Sequence, residues 1–311
     1  MNRKHFLQLG GLAAASVTMP GIMSACSSEA TTGNDLFFDI SVAQWSLHNA
    51  LFDGDLEHLD FPETAKNELG IAAVEYVNQF FKDKAEDTDY LDEMNTRCDD
   101  LGVEQVLIMI DGEGNLAASD DQERQESVEK HYKWVEAAQY LGCQSIRVNA
   151  RGGGTKEEQK KMAVKGLGDL AMFARDFDIN IIVENHGGYS SDGQWLASVM
   201  EQVNMDNCGT LPDFGNFCIE RGEDTCIEEY DRYKGVEEMM PFAKGVSAKS
   251  HAFDAEGNET NIDYTKMLTI VRDAGYTGHI GIEYEGSELS EIEGIKATRD
   301  LLLETGKKLS S

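Results

Sequence analysis

Ile179-Asn180-Ile181-Ile182-Val183-Glu184-Asn185-His186 is a short β-rich run that ends in a carboxylate, an amide and an imidazole. A helical pattern over 156–177 precedes it and another over 193–203 follows it. The same alternation extends both ways along the chain. Strand candidates lie at 37–46, 71–78, 105–110, 145–149, 209–213, 245–250 and 279–284. Helical patterns separate them at 90–101, 121–141, 264–274 and 291–303. Leu101-Gly102-Val103, Leu141-Gly142-Cys143 and Ala274-Gly275-Tyr276 are helix stops, a glycine leading directly into the next strand. Eight strands alternating with helices predict an α/β fold with a parallel sheet. Residues 35–311 suit a single (β/α)8 TIM barrel. The competing doubly wound sheet lacks G-x-G-x-x-G after its first strand in its dinucleotide form.

A barrel presents its chemistry at the C-terminal ends of the strands. The fifth strand ends in Glu184, the sixth in Asp213, the seventh in His251 and the eighth in Glu283. Strand residues two apart share a face, so His186 accompanies Glu184, Lys249 accompanies His251 and Glu285 accompanies Glu283. Three carboxylates on one rim repel one another unless a cation joins them. Oxygen-rich ligation with one imidazole suits one divalent ion, Mn²⁺, Co²⁺ or Mg²⁺, with Zn²⁺ also compatible. Strand parity points Gln44, Glu75, Arg147 and Asn149 toward the cavity as hydroxyl-binding groups. Lys249 is read either as a further acid or base or as the partner of a barrel glutamate such as Glu75.

Val183-Glu184-Asn185-His186, Leu211-Pro212-Asp213-Phe214-Gly215-Asn216, Ser247-Ala248-Lys249-Ser250-His251 with Asp254, and Gly281-Ile282-Glu283-Tyr284-Glu285-Gly286 resemble the xylose isomerase-like barrels. These are the sugar phosphate isomerase/epimerase proteins, related to the second family of apurinic endonucleases. Gln44-Trp45-Ser46 on the first strand extends the likeness. The resemblance implies that Glu184, Asp213, His251 and Glu283 are metal ligands and that Glu184 and Glu283 are also the acid/base pair. Lys249 and His186 would be additional catalytic groups, with Asn216 and Glu285 beside the substrate. Two substrate-positioning groups of the epimerases are replaced: Asn216 stands near an expected histidine, and residues 252–258 hold no arginine. The implied activity is isomerisation or epimerisation of a sugar or keto-sugar by proton abstraction next to a carbonyl. A lyase or dehydratase at the same site, and a non-catalytic carbohydrate-binding barrel, are the alternatives.

The first residues set the compartment. Arg3 and Lys4 precede an uncharged stretch that ends in Met23-Ser24-Ala25-Cys26, the parts of an export signal with a lipobox. Cys26 would carry the lipid, residues 26–34 would be a polar tether, and a periplasmic or cell-envelope lipoprotein results. Its only membrane attachment would be that lipid. Full-chain charge is -30, and loss of residues 1–25 leaves 25 basic against 57 acidic residues. Such a balance argues against nucleic acid, whose phosphates need clustered Lys and Arg. Few basic residues near the presumed rim favour an unphosphorylated small carbohydrate as the partner. A homo-oligomer is compatible with the sequence. Cys98, Cys143 and Cys208 read as buried thiols, and an oxidising compartment would permit a disulfide between Cys218 and Cys226.

Overall fold

The computed structural model describes residues 36–223 and 225–310. The expected export signal, tether and lipidated Cys26 lie outside the described residues. The described residues form one compact unit.

The strands are β1 Asp39–Ala43, β2 Ala73–Val77, β3 Glu104–Met109, β4 Ser145–Val148, β5 Asn180–Glu184, β6 Cys208–Leu211, β7 Cys218–Arg221, β8 Cys226–Glu229, β9 Val246–Ser250 and β10 His279–Tyr284. The helices are α1 His48–Asp53, α2 Phe61–Asn67, α3 Thr88–Leu101, α4 Asp121–Tyr140, α5 Lys156–Ala174, α6 Gly193–Val203, α7 Arg232–Met239, α8 Tyr264–Asp273 and α9 Glu291–Ser310. Eight strands pair in the order β6-β5-β4-β3-β2-β1-β10-β9, all in parallel. The remaining seam is joined by bridges Thr210↔Ala243 and Asp213↔Ser247, so the sheet is a nearly closed (β/α)8 barrel. β7 and β8 form an antiparallel hairpin apart from the barrel.

Two apolar layers hold this together. The larger lies between sheet and helices, where Trp134, Phe61, Leu167, Leu196 and Leu268 are fully buried against outward-facing strand residues such as Ile146 and Ile181. Burying a side chain of that size contributes about 1.5–3 kcal/mol. The smaller layer, Ala43, Ala73, Val77, Leu107, Met109, Ile182 and Leu211, alternates with it along the strands. Polar side chains of the same inward parity then populate the interior: Glu75, Arg147, Glu184, Lys249 and Glu283 are all buried. At Gly281 a Cβ would press on the Glu75 carboxylate, so a larger residue there would displace that side chain.

The expected first strand is cut short. Its final residues 44–46 belong instead to a 3-10 turn, Gln44–Leu47. The hairpin was not anticipated, and its disulfide joins Cys218 to Cys226. Cys98, Cys143 and Cys208 are free and buried.

Candidate active site and metal centre

Glu184 closes β5, Asp213 lies two residues past β6, and Glu283 is the penultimate residue of β10. They bring one carboxylate oxygen each within 4.8 Å of the others, and all three are buried. Local sequence explains the aim of Asp213. In Asp213-Phe214-Gly215-Asn216 the backbone N–H groups of Gly215 and Asn216 both donate to Asp213 Oδ1 at 2.8 Å. Asn185 clamps the same turn, accepting from the Asp213 N–H at 2.7 Å and donating to the Asn216 carbonyl at 3.1 Å. Asn216 Nδ2 donates to Glu184 Oε1 at 2.8 Å. Ser247 Oγ lies 2.6 Å from Asp213 Oδ2 and 3.1 Å from Glu283 Oε2, linking two of the three carboxylates.

Two buried cations answer this negative charge. Arg147 Nε is 2.8 Å from Glu184 Oε2, and its Nη1 is 3.1 Å from Asp111 Oδ1. Lys249, opposite Glu283 in the β9–β10 register, places Nζ 2.7 Å from Glu283, 3.3 Å from Glu285 and 3.9 Å from Asp213. Its partners are these rim carboxylates rather than Glu75, which accepts from Ser41 Oγ at 2.5 Å.

Burial pushes Glu184 and Asp213 up to about 7, with Arg147 and Lys249 respectively opposing the shift. Burial works the same way on Glu283, but the charge and hydrogen bond of Lys249 outweigh it and hold that carboxyl below its ordinary range. Burial also works against the Lys249 ammonium, and the surrounding carboxylates more than compensate, raising it above the ordinary lysine range. His186 is depressed to about 4, first by burial and then by Arg147. The two glutamates on opposite sides of the cluster are thus driven apart, one toward a neutral acid and one toward an anion, the condition for an acid/base pair.

The donor set fits a divalent cation on its oxygen side: three convergent buried carboxylates, with Glu184 Oε2 lacking a well-aligned hydrogen bond. The other expected ligand, His251, is not among the residues whose donor atoms converge here. His251 follows the last ladder pair Tyr284↔Ser250, so strand alternation no longer directs it. Its backbone N–H donates to Glu259 at 3.3 Å, and Nδ1 lies 3.5 Å from the Glu285 carbonyl. The position two residues earlier, Lys249, is the one that points into the cluster.

A cavity of about 520 Å³ lies beside the cluster; of the three carboxylates Glu283 is in its lining, with Arg147, Asn149, His186 and Glu285. Asn149 donates to Asp111 at 2.7 Å and its Oδ1 is 2.9 Å from His186 Nδ1. Glu285 accepts from the Trp45 indole N–H. Gln44 and Glu75 do not line this cavity. Gln44 sits against His58 at 2.9 Å and accepts from the Val77 N–H at 3.1 Å, both bonds inside the core. Glu75 is inward but one layer deeper. Asp111, directly after the third expected strand, belongs to the site and was missed, although the strand-end rule applies to it as to Glu184. Its carboxyl is half-buried, which raises it, yet Arg147 and His186 bring it down to about 2.

Glu75, like Glu184 and Asp213, is pushed up to about 7 by burial, with Ser41 opposing and Glu283 adding to the shift. A carboxyl whose folded pKa exceeds its unfolded value stabilises the fold below the unfolded value, and that contribution is lost as pH rises through the folded one. For Glu75 the window runs from 4.5 to about 7. Glu75→Gln is therefore expected to flatten the fall in stability across that window. Urea midpoints of both proteins between pH 4.5 and 7.5 would show it, and parallel curves would refute it.

Residues 64–305 match the family model described as xylose isomerase-like TIM barrel. None of the curated proteins matches the chain. Similar solved structures include a sugar phosphate isomerase/epimerase from Parabacteroides distasonis, 14% identical over 89% of this chain and 96% of that one, TM-score 0.65. D-psicose 3-epimerase with D-tagatose from Clostridium cellulolyticum is 12% identical over 88% and 96%, TM-score 0.61. A xylose isomerase-like TIM barrel protein from Mycobacterium smegmatis in complex with magnesium is 15% identical over 88% and 98%, TM-score 0.64. At such identities the likeness is one of fold, while the family match spans most of the barrel and takes in Glu184, Asp213, Lys249 and Glu283. The chain is a member of the xylose isomerase-like TIM barrel family.

Proposed function

We propose that this protein is a divalent-metal-dependent isomerase or epimerase that moves a proton on and off the carbon beside a sugar carbonyl. The observation that carries this reading is the pair Glu184 and Glu283, buried with Asp213 around one point and displaced in opposite directions in acidity. Glu283 is held ionised and is assigned as the base. Glu184 is held toward its neutral form and is assigned as the acid on the other side. Glu184, Asp213 and Glu283 would hold the ion, with His251 the fourth ligand proposed from the sequence. When bound, the ion supplies Lewis-acid polarisation that acidifies the carbon beside the carbonyl. Asn149 and Glu285 line the cavity and would orient hydroxyls, while the neutral His186 ring would accept or donate a hydrogen bond. Arg147 fixes the Glu184 carboxylate.

A lyase reading is favoured by one feature, the Lys249 ammonium 2.7 Å from Glu283. Instead of reprotonation at carbon, Lys249 would donate a proton to a departing group. Incubating the protein with Mn²⁺ and a panel of keto-sugars in ²H₂O separates the two. Deuterium in recovered sugar or its epimer supports isomerase chemistry, an unsaturated product supports elimination, and neither leaves a binding barrel. The family neighbours named as sugar epimerases support the carbohydrate class. We further propose that the barrel is exported and lipid-anchored at Cys26, a reading supported by the basic, uncharged and small-residue order of residues 1–26.

A further inference from the structure

The cavity beside Glu283 continues sideways into a second chamber of about 280 Å³. Arg151, His186 and Glu285 line both, so the two are one bent groove. One wall of the second chamber is the hairpin β7–β8. Among that hairpin's described charged residues, Glu220, Arg221, Glu223, Glu228 and Glu229, only Arg221 lines the chamber. Arg221 pairs across the ladder with Cys226, whose disulfide to Cys218 fastens the two strands and so fixes where the Arg221 backbone stands. Arg151, in the loop after β4, faces it from the barrel side.

The pairing pattern of the arginines singles this place out. Arg97, Arg124, Arg147, Arg232, Arg272 and Arg299 each sit in an ion pair. Among the described residues only Arg151, Arg175 and Arg221 form none, and Arg175 follows α5 at the opposite end of the barrel. A chain of net charge -30 has carboxylates to spare. It nevertheless leaves two guanidinium groups without a carboxylate partner in one chamber, Arg151 touching only His186 Nδ1 at 3.5 Å, and the chamber also holds Lys249, which contacts Glu283. Lys249 and Asn216 line the same chamber and add donors. At the other end of the groove the carboxylates in the lining, Asp111 and Glu113, are already paired, with Arg147 and Lys133.

We propose that the second chamber binds an anionic group of the substrate, a carboxylate or a phosphate, through charge-assisted hydrogen bonds from Arg151 and Arg221. The substrate class is then an anionic sugar, a sugar acid or a sugar phosphate. Its charge enters the arginine end and its carbonyl carbon lies over Glu184 and Glu283. This deepens the isomerase reading and rests on it for the orientation of the reacting carbon. A sugar acid keeps the sequence expectation of an unphosphorylated carbohydrate; a sugar phosphate would replace it, since its premise was a rim poor in basic residues. Arg151 and Arg221 are distant in sequence and come together only through the hairpin.

The test is titration calorimetry on the intact, oxidised protein with matched probes: D-glucuronate against D-glucose, and D-fructose 6-phosphate against D-fructose. At least one anionic member should bind about tenfold or more tightly than its neutral counterpart, as two charge-assisted hydrogen bonds imply. The preference should shrink with added salt because both arginines are exposed. Arg151→Gln and Arg221→Gln should each reduce it, and Arg175→Gln should leave it unchanged. Whichever probe shows the larger ratio identifies carboxylate or phosphate as the group. Equal affinity for charged and neutral members, or a preference that survives in the Arg151→Gln/Arg221→Gln double variant, overturns the proposal. Binding needs no turnover, so failed deuterium exchange with intact anion preference counts against the isomerase reading alone.

Discussion

Glu283→Gln is expected to slow solvent-deuterium incorporation into the substrate by about 10²–10⁴-fold, the usual contribution of a positioned general base. The amide keeps the shape of the side chain but cannot accept the proton. Glu283 is the carboxyl that Lys249 holds ionised, whereas Glu184 is driven toward its neutral form. The basic capacity of the pair therefore rests on one residue. Lys249 retains Glu285 at 3.3 Å in the variant, so the ammonium is not left without a carboxylate and the fold should survive. Glu283 is also an assigned ion ligand, and the two losses must be separated. Asp213→Asn is the comparison, because it weakens the carboxylate trio but leaves both glutamates. Exchange by Asp213→Asn should recover as Mn²⁺ is raised, and exchange by Glu283→Gln should not. Retention of more than a tenth of the exchange rate in Glu283→Gln would remove it as the base.

The barrel and the carboxylate trio were legible for the same local reason. Runs such as Ile181-Ile182-Val183 state a strand directly, and their last residue falls on the rim whatever the neighbouring strands do. Depth was not legible. Glu75 has the right parity, but its level is set by the register β2 takes with its neighbours, Glu75 opposite Ala43 and Leu107, a non-local quantity. Gln44 was assigned to a strand that has already turned into a 3-10 helix. His251 lies one residue past the end of β9, where parity stops applying, and Lys249 gains by that loss. The hairpin escaped because β8 is exposed at every position and β7 is at most half-buried, so neither carries an apolar period. With the hairpin went Arg221, and with Arg221 the second chamber.

Lys249→Met is the variant expected to change metal binding most. The ammonium stands among Glu283, Glu285 and Asp213 and offsets charge that a divalent ion would also offset. Cation and lysine repel at such range, so wild-type affinity for the ion already includes the cost of rearranging or tolerating Lys249. Methionine preserves most of the volume of the stem that passes Gly215 and removes the charge. Two consequences of opposite sign follow. Without metal the variant should lose about 3–5 kcal/mol of stability, the usual result of breaking one side of a buried ion pair. Protonation of Asp213 and Glu184, both already near 7, would cushion that loss below neutral pH. With Mn²⁺ the variant should bind about tenfold or more tightly than wild type and gain a larger rise in Tm, because the free carboxylates then have a single counter-cation. Calorimetric titration with Mn²⁺ and thermal melts at pH 6 and 8 measure both. If affinity falls instead, Lys249 orders the carboxylates for the ion rather than competing with it. If affinity and stability barely move while catalysis collapses, the ammonium is a proton donor to the substrate, and the elimination reading becomes the better account of the site.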